Sequence, residues 1–154
     1  MAAGVIVIDL GCYEHEVSKS IEPLVEQFHP ELLYGFDPLL PLSGTIHVNG
    51  TTCILSRKAA WTHAGRLGIR LSGTGTQVYE DPAGEVICFD LAAFISRLPA
   101  KEPVVLKLDV EGAEYPLLEH LRAKGLDLRL TLALVEWHSR ARVELMCPVQ
   151  EWTL

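Results

Sequence analysis

Two features of the sequence predict an α/β fold, a three-layer Rossmann-like sandwich around a mostly parallel central sheet. Short apolar strands alternate with amphipathic helices, which is the order of elements in proteins whose helices cover a parallel sheet. The first strand begins with residues 5–8, VIVI, which are apolar at every position, as expected of a strand buried on both faces. With 154 residues, 49% of them hydrophobic, the chain is expected to form one domain, residues 1–154.

The first elements predict a β-α-β unit. After a turn at Gly11, apolar residues recur at helical spacing, at Val17, Ile21, Leu24, Val25 and Phe28. This periodicity predicts a helix that ends near His29 and Pro30. The segment 32–38, LLYGFDP, predicts a second strand, which should run parallel to the first after a right-handed crossover.

The middle of the chain has a less regular pattern. A third strand is predicted around residues 53–56, and residues 69–90 predict two further strands joined through the turn DPAG at 81–84. Asp90 is then expected to cap a short helix that ends at Pro99. One face of that helix is apolar, formed by Leu91, Phe94, Ile95 and Leu98.

The last third of the chain repeats the strand and helix pattern. The segment 104–112, VVLKLDVEG, predicts a strand that ends in acids and a glycine. A helix should follow, with Pro116 tolerated in its first turn and Gly125 as its C-cap. The segment 130–138, LTLALVEWH, predicts the last clear strand.

Ionisable side chains follow four of the predicted parallel strands. They are Asp9, Asp37, Asp109 with Glu111, and Glu136 with His138. In open α/β sheets the ligand lies beyond the carboxyl ends of the strands, at the point where the strand order reverses. If the sheet is parallel, these side chains crowd one edge, and the sequence therefore predicts a ligand site there.

The turn after the first strand indicates which ligand that site can hold. A dinucleotide fingerprint needs three glycines, but only Gly11 is present, and the acids Glu14 and Glu16 would repel a pyrophosphate. A ligand with a cationic centre and a ribose fits better, with Asp37 accepting hydrogen bonds from the ribose hydroxyls. S-adenosylmethionine has a sulfonium, a ribose and no phosphate. The structural alternative is that the glutamates stabilise a helix start and that Asp37 belongs to a common Asp-Pro turn.

Charge, hydrophobicity and cysteine spacing argue against a nucleic-acid-binding, membrane-spanning or disulfide-bonded protein. The net charge of −7, with scattered basic residues, argues against a nucleic-acid partner. Apolar runs stay far below the ~20 residues of a membrane span. The spacing of the four cysteines, Cys12, Cys53, Cys88 and Cys147, has no C-x-x-C and predicts reduced, mostly buried thiols. Because no signal peptide precedes residue 5, a cytoplasmic protein is expected.

Several segments, in order over residues 5–138, carry a family resemblance. They are VIDLGCYEHEVS, LLYGFDPL, AAW, GTQVY, ICFDLAAFI, VVLKLDVEGAEYPLLEHL and LVEWH, and the pattern K-x-D-V-E-G-A-E-x-x-x-L is the most specific part. This set resembles the FkbM-type family of S-adenosylmethionine-dependent methyltransferases. The resemblance implies the class I methyltransferase fold, S-adenosylmethionine as cofactor, and methylation of an oxygen of a small molecule or sugar.

The resemblance also implies roles for individual residues. The cofactor would contact the loop residues Asp9, Gly11 and Cys12, the ribose-binding Asp37, the pair Ala60 and Trp61 along the adenine, and Asp109. Asp109 and Glu111 match the D-x-E-G signature beside the transferred methyl group. Glu136 and His138 match the acid and histidine that often end the fifth parallel strand. Asp109, Glu111 and His138 are therefore the expected catalytic residues.

The sequence departs from the family in its loop and its ends. The family loop reads D-x-G-A-N-x-G, whereas Tyr13 and His15 stand here for the asparagine and the last glycine, so the methionine end of the cofactor should bind differently or more weakly. An N-terminal substrate cap is absent, and only residues 143–154 remain for a closing strand pair. We therefore expect a minimal version of the fold, truncated at both ends, whose missing lid a second copy of the chain could supply.

Several residues keep two interpretations. His138 is the first candidate for a base that deprotonates a hydroxyl acceptor, or it is a hydrogen-bonded structural residue. Asp109, Glu111 and His138 could also hold a divalent cation, although no spacing requires a metal. Lys107, on the same strand face as Asp109, is expected to pair with a buried carboxylate. Trp61, Trp137 and Tyr79 could line the ligand site or belong to the core.

Two functions remain open on the sequence. The first is a methyltransferase that transfers a methyl group to a small-molecule acceptor. The second is a non-catalytic adenosyl-ligand binding or assembly module derived from the same fold, which the altered loop and absent cap favour. A nicotinamide-dependent oxidoreductase is disfavoured because the glycines of the dinucleotide fingerprint are missing.

Overall fold

The computed structural model describes residues 4–13, 16–72 and 75–138. These ranges form two β-sheets, three α-helices and one short 3-10 helix at Asp127–Arg129. The strands are β1 Ile6–Leu10, β2 Leu32–Phe36, β3 Gly44–Val48, β4 Thr51–Ser56, β5 Ala59–Trp61, β6 Gly65–Ser72, β7 Gly75–Glu80, β8 Val86–Asp90, β9 Val104–Leu108 and β10 Leu132–Val135. The helices are α1 Ser18–Phe28, α2 Leu91–Ser96 and α3 Glu114–Ala123. The predicted α/β class is confirmed.

The larger sheet has the order β10-β9-β1-β2-β4-β3, and it is parallel except for β3 at one edge. If the five parallel strands are numbered in chain order and followed across the sheet from β4 to β10, they stand in the order 3-2-1-4-5. The order therefore reverses between β1 and β9, which is where open α/β sheets hold their ligands. Leu10 at the end of β1 is level with Phe36 of β2 and Leu108 of β9. The predicted mostly parallel sheet is thus present, with its carboxyl ends aligned.

Both faces of the larger sheet are covered by a hydrophobic core, and side chains along β1 alternate between the two cores. All five residues of β1 are buried. Val7 packs on one face with Ile21, Leu24 and Val25 of α1. Ile8 and Leu10 pack on the other face in a core that includes residues of α2, α3 and the smaller sheet. A strand that is apolar at every position fits this two-sided burial.

The smaller sheet corrects one sequence prediction. Its order is β5-β8-β6-β7, so residues 65–90 contribute three strands where residues 69–90 predicted two. The turn at 81–84 joins β7 to β8, but β6 lies between them and pairs antiparallel with both. Gly68 of β6 faces Tyr79 of β7, and a Cβ at Gly68 would lie 2.3 Å from the tyrosine ring. The pairing of β6 with β7 therefore includes a close contact between Gly68 and Tyr79, and the periodicity of the sequence does not indicate this contact.

Two further strands, β3 and β5, also lie outside the sequence predictions. The side chains of β3 are mostly exposed, and its apolar alternation consists of Ile46 and Val48 alone, which is too short to mark a strand. β5 holds Ala60 and Trp61, the predicted adenine segment, and pairs parallel with β8.

The remaining predictions concern cysteines, membrane spans and the chain ends. Cys12, Cys53 and Cys88 are free and buried, as predicted. No helix of the described residues combines the length and apolarity that a bilayer crossing needs, the longest, α1, having 11 residues. Glu14, His15, Cys147 and the predicted closing pair at 143–154 lie outside the described residues.

Candidate functional site

A cavity of about 380 Å³ lies at the carboxyl ends of β1, β2 and β9. Its volume falls within the usual range of small-molecule sites, about 300–1,000 Å³. The walls come from the turns after these strands and from β5 and β7, and include Gly11, Tyr13, Asp37, Leu39, Lys58, Ala60, Val78, Asp109 and Glu111. The predicted convergence of strand ends is therefore present for β1, β2 and β9.

Gly11 shapes the floor of the cavity because a side chain cannot occupy its position. Its φ of +87° lies in the left-handed region, and a Cβ there would stand 1.9 Å from the carbonyl oxygen of Asp109. The Gly11 N–H donates to the carbonyl of Phe36 at 2.9 Å. The turns after β1, β2 and β9 are therefore packed closely together, with bare backbone at their junction.

Asp37 stands at the tip of β2, where its carboxylate is held by two backbone groups. Oδ2 accepts a hydrogen bond from the Tyr13 N–H at 3.1 Å, and Oδ1 accepts one from the Leu39 N–H at 2.8 Å. Burial raises the pKa of the Asp37 carboxyl, and these two donors only partly oppose the rise. Because a carboxylate oxygen can accept more than one hydrogen bond, both oxygens keep acceptor capacity.

The opposite wall of the cavity carries Asp109 and Glu111. Glu111 and Gly112 both have positive φ, +46° and +94°, which makes the turn after β9 sharp. The Gly112 N–H donates to Oε2 of Glu114 at 2.7 Å, so the first residue of α3 fixes this turn. Glu111 thus occupies a conformation that L-residues adopt rarely and at some energetic cost.

His138 lies behind Asp109 and Glu111, in contact with carboxylates on both sides of its ring. Its Nδ1 is 3.0 Å from Oε1 of Glu114, and its Nε2 is 3.3 Å from Oδ1 of Asp109 and 3.4 Å from Oε1 of Glu111. Burial lowers the pKa of His138, but the hydrogen bond to Glu114 and the charges of Glu114, Glu111 and Asp109 outweigh it and raise the pKa overall. This environment favours the protonated imidazole.

Asp9, although it ends β1 with Leu10, faces α1 and not the cavity. Ser20 Oγ donates to Oδ2 of Asp9 at 2.6 Å, and Lys107 Nζ lies 3.4 Å from Oδ1 of Asp9. Lys107 also donates to Ser20 Oγ at 2.6 Å. The expected pairing of Lys107 with a buried carboxylate is confirmed, and this trio joins β1, α1 and β9. Asp9 is therefore placed to stabilise the fold beneath the site.

Cys12 and Trp61 also lie apart from the lining of this cavity. Cys12 is buried with Val7 and Ile21 in the core beneath α1, where burial strongly raises the pKa of its thiol. Trp61 follows Ala60 on β5, and its Nε1 donates to Oε1 of Glu80 at 2.6 Å. Among the predicted adenine residues, Ala60 reaches the cavity.

A second cavity of about 430 Å³ adjoins the first and shares Val78, Glu111 and Ala113 with it. Its walls include three aromatic side chains, Trp61, Tyr79 and Tyr115, together with Glu80 and Glu111. Trp61 belongs to the buried core and also borders this cavity. Tyr79 borders the cavity with an exposed side chain. Trp137 packs against Tyr115, with ring centroids 5.2 Å apart.

Glu114 is the site residue that sequence reasoning gave no role. It is fully buried, and its carboxylate accepts from His138 and Gly112. The sequence shows only an acid in the first turn of a predicted helix, which usually indicates an exposed charge near the positive end of the helix dipole. The contact with His138, 24 residues away, is visible only in the tertiary structure.

Comparison with known proteins finds no match to this chain among family models, curated proteins or solved structures. Of the predicted site residues, Gly11, Asp37, Ala60, Asp109 and Glu111 line the first cavity, and Asp9, Cys12, Trp61 and His138 stand around it.

Proposed function

We propose that this chain is an S-adenosylmethionine-dependent methyltransferase with the three-layer class I fold, which methylates a hydroxyl of a small molecule or sugar. The observation that carries the proposal is the cavity between Gly11, Asp37 and Asp109, at the point where the order of the parallel strands reverses. In doubly wound α/β proteins this is the position at which a nucleoside ligand binds. The family resemblance of the sequence supports the same cofactor.

Asp37 is the proposed ribose ligand. It lines the cavity from the tip of β2, and the backbone N–H groups of Tyr13 and Leu39 orient its two oxygens. A carboxylate held in this way can accept hydrogen bonds from two neighbouring hydroxyls without losing side-chain entropy on binding. Ala60 offers a small apolar surface on which a flat adenine ring can lie.

The charge of the cavity favours a cationic sulfonium over a phosphate. Asp37, Asp109 and Glu111 contribute three carboxylates to the lining, against the ammonium group of Lys58. Gly11 lets a ligand approach the backbone closely at the junction of the turns. S-adenosylmethionine, when bound, supplies the electrophilic methyl group.

The second cavity is the proposed acceptor site. It meets the first at Val78, Glu111 and Ala113, so an acceptor held there can approach the methyl group in line. As the acceptor oxygen bonds to the methyl carbon and the carbon–sulfur bond breaks, the hydroxyl proton must leave. Glu111 lies at this junction and Asp109 lines the first cavity, and these two carboxylates are the proposed proton acceptors. Nε2 of His138 lies 3.3 Å from Oδ1 of Asp109 and 3.4 Å from Oε1 of Glu111. His138 is therefore assigned to positioning and charge, and Asp109 and Glu111 to contact with substrate.

The alternative is a module that binds an adenosyl ligand without catalysis. One observation favours it: both ring nitrogens of His138 face carboxylates, whose charges raise the pKa of the group first expected to act as a base and favour its protonated form. A second observation is that Tyr13 lines the cavity at the position where the family loop carries asparagine.

Calorimetry of the full chain with S-adenosylmethionine and with S-adenosylhomocysteine tests the shared binding step. We expect both to bind, and Asp37→Asn to weaken binding at least tenfold because a hydrogen bond to a charged group contributes about 1.5–3 kcal/mol. Glu26→Gln, an exposed charge change on α1, is the matched control and should leave the affinity unchanged. If neither S-adenosylmethionine nor S-adenosylhomocysteine binds, both proposed functions are contradicted.

Transfer of a labelled methyl group to a panel of hydroxyl compounds separates the two functions. The methyltransferase should label an acceptor, and Asp109→Asn should reduce turnover more than it reduces cofactor affinity. Binding without transfer to any acceptor in the panel supports the non-catalytic module.

A further inference from the structure

We propose that Asp109, Glu136 and His138 form a binding site for a divalent metal ion at the carboxyl ends of β9 and β10. Each of the three side chains offers one ligand atom, and these atoms all lie within 4.8 Å of one another. The sequence indicated Asp109, Glu111 and His138 as possible ligands, whereas Glu136 enters through the structure. An imidazole together with carboxylates from two adjacent strands is a donor set typical of transition-metal sites.

The distances from Nε2 of His138 to the carboxylate oxygens are close to those expected around a single ion. Around an ion with bonds of about 2.1 Å, neighbouring ligand atoms lie about 3.0 Å apart in octahedral and about 3.4 Å apart in tetrahedral geometry. Nε2 of His138 is 3.3 Å from Oδ1 of Asp109 and 3.9 Å from Oε1 of Glu136. Glu111 places Oε1 3.4 Å from the same nitrogen and is available as a fourth ligand. Closing the site around an ion requires a rotation of the Glu136 side chain, which is exposed.

Glu114, which is not one of the ligands, provides an independent argument. It is fully buried and presents Oε1 to Nδ1 of His138 at 3.0 Å. The same carboxylate accepts from the N–H groups of His138 and Gly112, so its position is fixed from three directions. A bound ion would displace the proton from Nε2, and the proton that remains on Nδ1 and is donated to Glu114 then leaves the lone pair of Nε2 directed at Asp109 and Glu136. Buried carboxylates orient metal-binding histidines in this manner.

The ligand chemistry selects the ion. Carboxylate oxygens suit hard ions such as Mg²⁺ and Ca²⁺, but an imidazole nitrogen favours ions of the first transition series. The combination fits Mn²⁺ or Zn²⁺ better than Ca²⁺, which prefers six or more oxygen ligands. The side chain of Glu136 is 64% exposed, so an ion can enter from solvent.

The position of the ion relative to the cavities would give it a role. Asp109 lines the first cavity and Glu111 lines both, so an ion on Asp109 lies beside the junction of the two. There it could bind the acceptor oxygen and lower the pKa of the hydroxyl. This role rests on the proposed methyltransferase function, whereas the metal site itself does not.

Titration of the chelator-stripped full chain with Mn²⁺, followed by electron paramagnetic resonance, tests the site without cofactor or acceptor. We expect saturable binding of one ion and, in pulsed spectra, a nitrogen coupling from one imidazole. Glu136→Gln should weaken Mn²⁺ binding at least tenfold without unfolding the protein, because the side chain is exposed. Glu119→Gln, an exposed acid on α3, is the matched control and should bind as the wild type does.

Three results would each overturn the proposal. The first is absence of Mn²⁺ binding to the wild type, and the second is a bound Mn²⁺ signal without nitrogen coupling. The third is equal affinity in Glu136→Gln and Glu119→Gln. Calorimetry with S-adenosylmethionine is a separate measurement. Mn²⁺ binding without cofactor binding would retain the metal site and contradict the proposed function. Cofactor binding without Mn²⁺ binding would retain the proposed function and contradict the metal site.

Discussion

Glu114 contacts His138 at two points: its Oε1 accepts from the backbone N–H of His138 at 2.8 Å and lies 3.0 Å from the ring nitrogen Nδ1. Its other oxygen accepts from the Gly112 N–H at 2.7 Å. One buried carboxylate therefore joins the start of α3, the turn after β9 and the end of β10. The positions of His138 and of the turn that carries Glu111 depend on it.

Removal of this carboxylate should destabilise the protein strongly. Glu114→Ala leaves the N–H groups of Gly112 and His138 without their acceptor, and each unsatisfied buried group costs about 1–3 kcal/mol. We expect the free energy of unfolding to fall by about 3 kcal/mol or more, measured by urea denaturation. Glu119→Ala, an exposed acid on the same helix, should change it by less than about 0.5 kcal/mol. Equal effects of the two substitutions would contradict the bracing role of Glu114.

The contrast between Asp9 and Asp37 shows which part of the site local sequence can predict. Both acids were placed at strand ends, but Asp9 is still inside β1, where the alternation of side chains turns it toward α1 with Val7. Asp37 follows the end of β2 and faces the cavity. The register confirms the difference, because Asp9 is level with Lys107 on the neighbouring strand β9. The alternation of side chains along β1 and β9 is thus consistent with a buried ion pair between Asp9 and Lys107.

The parts of the fold that sequence reasoning missed depend on contacts between distant segments. The alternating larger strands and helices were predicted because each has its own periodicity, as in β1 and α1. The insertion of β6 between β7 and β8 has no such local mark, since it depends on pairings such as Gly68 with Tyr79. Likewise, the burial of Glu114 depends on β10, whose sequence lies on the far side of α3.

The pH dependence of stability should show the contribution of Asp90. Burial alone would raise the pKa of Asp90, but the N–H of Ala93, at the start of α2, and the ring of His120 lower it overall. A lowered pKa in the folded state means that the ionised group adds stability above its unfolded pKa of about 3.9, and that this stability is lost as the pH falls through the folded value. The advantage of the wild type over Asp90→Asn should therefore be complete near neutral pH and disappear in acid. Urea denaturation at a series of pH values measures it, and an advantage that grows in acid would contradict the assignment.

Asp37 should show the opposite dependence. Burial raises the pKa of its carboxyl, so its contribution to stability is complete below the unfolded pKa of about 3.9 and is lost as the pH rises through the folded value. The stability of Asp37→Asn relative to the wild type should therefore increase as the pH rises from acid to neutral, whatever the constant cost of the changed hydrogen bonds. The same denaturation series measures this difference. A flat profile would show that Asp37 is solvated and would weaken its assignment as the ribose ligand.

The junction at Gly11 should tolerate no side chain. In Gly11→Ala the added Cβ would meet the carbonyl oxygen of Asp109 at 1.9 Å and would also occupy a φ of +87°. Gly112→Ala and Gly125→Ala separate the two effects, because these positions have φ of +94° and +69° with open space around the Cβ. The two controls should lose about 1–2 kcal/mol from backbone strain alone. Gly11→Ala should lose at least about 2 kcal/mol more, because the turns after β1 and β9 must separate, and urea denaturation of all three variants makes the comparison. Similar losses in the three variants would mean that these turns move apart freely, and a cavity built on their contact would then have no fixed floor.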